Sequence, residues 1–253
     1  MKLFPFVAMC ALGWCLARAI CDSAQCCAAD SGRLIDHPTE GVRLAEGFAI
    51  QEIAGPELAN DIWAITFDPR GQIVVSGPGY IRILHDSSGD GLLDSATLFA
   101  KHPGAMGLCF DETGTELLVM GGGWLARFRD EDHDGVADGP GQNLLPFAAG
   151  EHGGHAIRQA PDGWWNVIGG NDAGIDTRHN AAPDRIIGKV EAGALLRISP
   201  DWKESQVIAH GFRNPYDFDF NAFGDAFTYD SDTERDYFLP WYSPCRIYQV
   251  QFA

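Results

Sequence analysis

Basic residues are scarce. The 253-residue chain holds 18 Lys plus Arg against 35 Asp plus Glu, a formal charge of -17. A phosphate backbone is bound by clustered cations, so DNA and RNA are excluded as partners, and anionic membrane surfaces are repelled. A sustained i, i+3, i+4, i+7 apolar period is also missing, which removes helical bundles and helical solenoids. No apolar run reaches the ~20 residues of a membrane-spanning helix. Cysteine is sparse where a core must form. Of the seven, Cys10, Cys15, Cys21, Cys26 and Cys27 crowd the first 27 residues, leaving only Cys109 and Cys245 beyond them and no metal-type CxxC.

The apolar run that does exist, Leu3 to Ala17, follows Lys2 and ends at Ala17-Arg18-Ala19. This is the pattern of a secretory signal peptide covering residues 1–19, with an alternative cut after Ala29. Export to the periplasm or the medium follows, with no transmembrane span. A lipid anchor is the weaker alternative, because neither Arg18-Ala19-Ile20-Cys21 nor the residues before Cys26 form a good acylation site. Residues 20–44 then form a lead into the main domain, 45–253. Cys109 lies in the apolar stretch Gly107-Leu-Cys-Phe110, which suits a buried inert thiol. An oxidising compartment would also permit a Cys109–Cys245 disulfide.

The 30 Gly and 14 Pro are spread along the chain and punctuate a recurring phrase. A short β-branched or aromatic run meets a turn containing Asp or Pro and then Gly, and a second run follows. The copies are Ala64–Val75, Met106–Val119, His155–Ile168 and Tyr216–Tyr229. An Asp-rich loop repeats in register with them. Asp86-Ser-Ser88-Gly-Asp90-Gly91-Leu-Leu-Asp94 returns as Asp130-Glu-Asp132-His-Asp134-Gly135-Val-Ala-Asp138, 44 residues later. Periods of ~40–50 residues with about four strands each are those of propeller blades. The expected fold is therefore an all-β propeller of about four blades within residues 45–253. Six-bladed propellers need a longer chain, so the reading favours an incomplete six-bladed ring over a genuine four-bladed one.

Several constellations carry chemistry. Carboxylates at positions 1, 3 and 5, Gly at 6 and Asp at 9 let a short loop wrap oxygens around calcium. Asp130, Asp132, Asp134 and Asp138 form the better site; Asp86, Asp90 and Asp94 form a weaker one, with Ser88 at position 3 and no closing Glu in either. A solvated acidic turn is the plain alternative, and in both cases the ion would stiffen the loop without joining catalysis. The turn Gly150-Glu151-His152-Gly153-Gly154-His155 precedes the third hairpin, where propeller loops line the central channel. A His there can serve as general base, and two His with Glu151 could hold zinc or iron. Gly211-Phe-Arg213-Asn214-Pro215 presents a guanidinium to carboxylate or quinone oxygens, unless Arg213 serves only an inter-blade ion pair. Asp230, Asp232 and Glu234 crowd the exit of the fourth hairpin, where they need a cation or water.

These motifs in this order resemble the soluble quinoprotein glucose and sorbosone dehydrogenases, six-bladed propellers that bind pyrroloquinoline quinone and calcium. The resemblance is closer to the planctomycete-type membrane-bound dehydrogenase domains, with their Glu-His-Gly-x-His-Ala turn, repeated Asp-rich loops and Asp-x-Glu-Arg-Asp…Leu-Pro-Trp-Tyr run. Here those residues are Asp232-Thr-Glu234-Arg235-Asp236 and Leu239-Pro-Trp-Tyr242. The resemblance implies that His152 is the catalytic base, with His155 able to share the role. It implies that Arg213, with Asn214 beside it, holds the quinone, and that the Asp230–Glu234 run lies near a calcium segment. His102 falls where the sugar enzymes use an amide to bind substrate, which leaves the sugar specificity open. The implied activity is oxidation of a hydroxyl or aldehyde of a sugar or polyol, with a cytochrome-type protein accepting the electrons. Two rivals stay open. One is a non-catalytic, calcium-stabilised propeller that binds glycan or protein; the other is a metal-dependent lactonase-type propeller using His152, Glu151 and Asp ligands.

Overall fold

The computed structural model describes residues 34–37, 41–180, 189–232 and 244–251. The chain divides into two compact units, Met1–Glu52 and Ile53–Ala253. In the first, β1 (Leu34–His37) and β2 (Val42–Ala45) pair as an antiparallel hairpin.

The second unit is a four-bladed β-propeller, as the repeated phrase predicts. Blade 1 holds β3 (Ala64–Phe67), β4 (Ile73–Gly77), β5 (Tyr80–His85) and β6 (Ser95–Ala100). Blade 2 holds β7 (Gly107–Phe110), β8 (Glu116–Gly121), β9 (Trp124–Arg129) and β10 (Gln142–Pro146). Blade 3 holds β11 (Gly154–Gln159), β12 (Trp165–Gly169), β13 (Gly193–Ile198) and β14 (Ser205–Phe212). Blade 4 holds β15 (Asn214–Phe220), β16 (Ala226–Ser231) and β17 (Arg246–Val250). Each blade is an antiparallel meander in chain order. The four predicted hairpins are the first two strands of the four blades, in the predicted places.

Local chemistry closes the hairpins. The Asp68 carboxylate accepts from the amides of Arg70 (3.0 Å) and Gln72 (2.7 Å), while Gly71 takes the left-handed conformation the turn requires (φ 82°). Asp111, Asp162 and Asn221 repeat the device by accepting from Glu116, Trp164 and Asp225 amides. Such side-chain-to-backbone bonds are why Asp and Asn mark turns.

Successive strand residues point to opposite faces, and the cores follow. Val74, Ile81, Ile83 and Phe99 of blade 1 pack against Leu108, Leu117, Val119 and Phe128 of blade 2. Leu118, Met120 and Leu125 pack against Ile157, Val167 and Leu196 of blade 3, and Ile168 and Leu195 meet Phe218 and Val250 of blade 4. The innermost strands β3, β7, β11 and β15 surround a channel cavity of about 210 Å3. Within it Arg158 pairs with Asp217 at 2.7 Å, and the Tyr216 hydroxyl donates to the Trp63 carbonyl at 2.9 Å, joining blade 4 to the chain entering blade 1. Where β7 passes β11, a Cβ at Gly107 would run into the His155 carbonyl oxygen.

Cys109 and Cys245 are both free thiols. The permitted disulfide is not formed, and burial pushes the Cys109 thiol pKa up, as an inert core thiol requires.

Leu196 is fully buried between blades 2 and 3. Leu196→Ala is expected to lower the unfolding free energy by about 2–5 kcal/mol in denaturant titration, since it deletes packed atoms and leaves a cavity.

Candidate functional site

Meander topology sorts the loops. The chain segments entering β7, β11 and β15 and the β12–β13 connection lie at one end of the propeller. The β5–β6 and β9–β10 loops, which carry the two Asp-rich motifs, lie at the other.

At the first end, three stretches interlock through their main chains. The Gly170 amide donates to the Gly153 carbonyl (2.9 Å), that of Asn171 to Arg213 (2.8 Å) and that of Asp172 to His152 (3.1 Å). Only glycine fits at 170, where a Cβ would lie 2.7 Å from the His152 carbonyl oxygen and 2.9 Å from Asn214 Oδ1. This lattice sets the half-buried His152 beside Asn171, with Nδ1 2.6 Å from Asn171 Oδ1. Facing a carbonyl oxygen, Nδ1 carries the proton and donates it. Nε2 is thereby left as the basic nitrogen.

Asn171 is the residue the sequence reading missed. Its one signal is the Gly169-Gly170-Asn171 turn directly after the third hairpin, a place where a small polar side chain can fold back over a close-packed backbone.

Arg213 is the single residue between β14 and β15, where the chain passes from blade 3 to blade 4. Its guanidinium Nη1 donates to Ser231 Oγ (3.2 Å) and to the Asp232 carbonyl (3.1 Å). Asp230, 8% exposed, accepts from the Arg213 amide (2.9 Å) and the Asn214 amide (2.8 Å). Asn214 Oδ1 is buried and has no hydrogen-bond partner among the described residues.

Other expected site residues are placed differently. His155 is 1% exposed, its Nδ1 is 2.9 Å from the Pro215 carbonyl, its Nε2 is 3.2 Å from the Glu151 carbonyl, and its ring tilts over Tyr216. Both nitrogens are engaged inside the protein, so His155 offers no uncommitted ring nitrogen in this arrangement. The acidic run after the fourth hairpin is not a common carboxylate cage among the described residues: Asp230 is taken up by backbone amides and Asp232 pairs with Arg246 at 3.2 Å. Glu234 and the Leu239–Tyr242 run lie outside the described residues, as does the predicted signal segment. His102 is buried beneath the Pro103–Gly104 turn, where Nδ1 accepts from the Gly104 amide (3.2 Å) and the ring meets Phe128 edge-on.

At the opposite end, Asp130, Asp132 and Asp134 bring their carboxylate oxygens within 4.8 Å of one another. It is the only such metal-competent group among the described residues, so neither Glu151 nor His152 belongs to one. Asp138 serves the loop itself by accepting from the Glu131 amide at 2.7 Å. In the first copy, Asp86 accepts from the amides of Gly91, Gly89 and Asp90, which hold its pKa below the ordinary carboxylate value. The Ser87 and Ser88 amides bind Asp94, and the Leu92 amide binds Asp90. This copy assembles as a hydrogen-bonded turn, without a three-carboxylate cluster.

A family model, the domain of unknown function DUF7133, matches residues 36–243. The chain belongs to this family. No curated protein matches it. Solved structures do. A Trichoderma reesei carbohydrate-active enzyme of family AA12, determined with calcium, is 12% identical with a TM-score of 0.57, over 75% of this chain and 52% of that one. The PQQ domain of pyranose dehydrogenase from Coprinopsis cinerea is 13% identical with a TM-score of 0.53, over 68% and 44%. Regucalcin, a calcium-binding protein from Agrobacterium tumefaciens, is 13% identical with a TM-score of 0.50, over 82% and 64%. The chain thus spans about half the length of the first two. At these identities the likeness shows the fold. No helix among the described residues is long and apolar enough to cross a membrane.

Burial lowers the His102 pKa below its ordinary 6.5. The folded state therefore binds this proton less readily than the unfolded chain, and stability falls as pH drops below about 6.5. Melting temperatures between pH 7.5 and 5 should decline less steeply in His102→Gln than in the parent protein.

Proposed function

We propose that this DUF7133 chain is a quinone-dependent dehydrogenase that oxidises a hydroxyl or aldehyde group of a sugar or polyol, with His152 as the proton acceptor. The observation that carries this reading is the His152–Asn171 pair, held on an interlocked backbone next to the Arg213 crossing. A base needs one nitrogen unprotonated and a ring that does not turn; Asn171 supplies both conditions by fixing the tautomer and the plane. The similarity of the fold to that of a PQQ domain of pyranose dehydrogenase supports the reading. So does the order of the motifs around His152, Arg213 and Asn214.

The donor set suits pyrroloquinoline quinone, a planar, carboxylate-bearing group. Arg213 provides a guanidinium at the crossing, Asn214 a buried amide oxygen without a partner among the described residues that would accept from the group's pyrrole N–H, and Gly170 the closeness of backbone that places them together. Arg213 and Asn214 would hold the group, and when bound it supplies the acceptor for the two electrons that leave the substrate carbon. His152 takes the hydroxyl proton at Nε2. Asn171 keeps Nδ1–H engaged, so the ring's free lone pair stays on the reacting side. Asp230 fixes the main chain that carries Arg213 and Asn214 and does not itself act on substrate.

Calcium belongs at the other end of the propeller. Asp130, Asp132 and Asp134 form a hard-oxygen donor set, and Gly135 (φ 84°) gives the bend that turns them inward. The loop is tied to blade 1 by Arg70, whose Nη2 donates to the His133 carbonyl at 3.0 Å, so an ion there would stiffen the contact between blades 1 and 2. That same cluster favours a second reading, a non-catalytic, calcium-stiffened propeller that binds a glycan or protein. Dye reduction dependent on added quinone separates the two.

His152→Ala is expected to cut quinone-dependent dye reduction by ~10²–10⁴-fold, the usual worth of a positioned base, with the melting temperature unchanged within a few degrees. Full activity in that variant would remove His152 from the reaction. Separately, added calcium at about 100 times its dissociation constant should raise the unfolding free energy by about 2.7 kcal/mol. Asp132→Asn should abolish most of that increment and leave dye reduction by the quinone-loaded protein intact.

A further inference from the structure

The loop that carries His152 also walls a cavity of about 320 Å3, lined in part by Gly150, Gly153 and Gly154. Two indoles face it: Trp63, 38% exposed, and Trp124, 40% exposed, with Phe147 nearby. None of the side chains lining this cavity is charged. Trp63 is held from several directions. Its ring packs on Gly104, where a Cβ would overlap it, its carbonyl accepts from the Tyr216 hydroxyl (2.9 Å), and its Nε1–H reaches Asp61 Oδ1 (3.4 Å). Trp124 follows a hairpin turn in which Gly122 (φ 61°) and Gly123 (φ 86°) are both left-handed, a type I′ geometry that glycine makes easy. The main-chain amides of Gly122, Gly123 and Gly150 have no acceptor among the described residues.

From this we infer that the cavity is a subsite for one uncharged pyranose ring of an oligosaccharide. The C–H face of such a ring lies on an indole plane, and its hydroxyl and ring oxygens accept from uncommitted amides. Anions would also accept from those amides. With no Lys or Arg lining the cavity, however, and a chain charge of -17, a carboxylate or phosphate is repelled. An aromatic ligand would satisfy the indoles but leave the amides unpaired. The inference rests on the reading above that His152 acts on a sugar or polyol hydroxyl. It adds that this hydroxyl belongs to a chain of sugars, with the neighbouring ring seated between Trp63 and Trp124.

The test measures binding apart from turnover, by quenching of tryptophan emission in the full chain without quinone, using glucose, cellotetraose, maltotetraose and tetragalacturonate as probes. Support requires that a neutral tetrasaccharide binds at least tenfold more tightly than glucose and more tightly than tetragalacturonate. In Trp124→Ala that binding should weaken by about tenfold, while Trp124→Tyr, which keeps an aromatic face, should bind within a few-fold of the parent. Circular dichroism confirms that both variants are folded. Preference for tetragalacturonate, equal binding by Trp124→Ala, or no saccharide binding by a folded protein would each overturn the inference. Dye reduction is scored separately. Oxidation of glucose without any chain-length preference defeats the subsite alone, and saccharide binding without oxidation under any quinone defeats the dehydrogenase reading alone.

Discussion

Main chain meets main chain where the blades converge, and glycine is what makes the meeting possible. At Gly107 the inner strand of blade 2 runs against the His155 carbonyl of blade 3, and at Gly170 the connection after β12 lies on the carbonyls of both His152 and Arg213. A single methyl at either position would separate elements that must touch. The interlock at Gly170 determines where His152 stands, which way its imidazole faces, and how the chain at Arg213 crosses into blade 4. Asp230 completes this arrangement from the far side, as one carboxylate satisfying two successive amides that would otherwise be buried without acceptors.

Charge is distributed by the same topology. An antiparallel meander sends alternate loops to opposite ends, so the two Asp-rich motifs cannot reach the His152 loop however similar their spacing makes them look. The excess of acid is partly spent within single turns. Asp68, Asp86, Asp94 and Asp138 each bind backbone amides of their own loop, which holds the carboxylates apart from one another and gives them donors in place of cations. Asp130, Asp132 and Asp134 accept amides of their own loop as well, but among the described residues they alone bring three carboxylates close enough to share an ion.

The blades were legible because their determinants are local. An Asp or Asn accepting from amides two to five residues ahead, followed by a left-handed Gly, is complete within one short segment, so all four hairpins could be placed from the sequence. Of the proposed site, the sequence pointed to His152, Arg213 and Asn214. His155 shares the same Gly-rich turn, and nothing in that turn says that one ring will be half-buried beside Asn171 and the other sealed between two carbonyls. That difference comes from Pro215, sixty residues on. The acidic run at Asp230 reads as a cation site because the Asp230 carboxylate's partners, the amides of Arg213 and Asn214, lie at the start of the preceding strand and just before it, and cannot be inferred from neighbours along the chain. Asn171 carries no motif at all, since its importance depends on what a distant loop sets beside it.

The meanders also bear on how the molecule acquires its shape. Each blade pairs its own strands in chain order, so the loops closed within a blade are short and closing each costs little entropy. Structure of this kind can grow blade upon blade as the chain emerges, each sheet serving as the template that buries the next. The Tyr216–Trp63 bond joins residues 153 positions apart, so it forms only once the fourth inner strand has arrived. It therefore behaves as a latch between the first and fourth blades, and its loss would be felt in how fast they part more than in how fast the blades first appear.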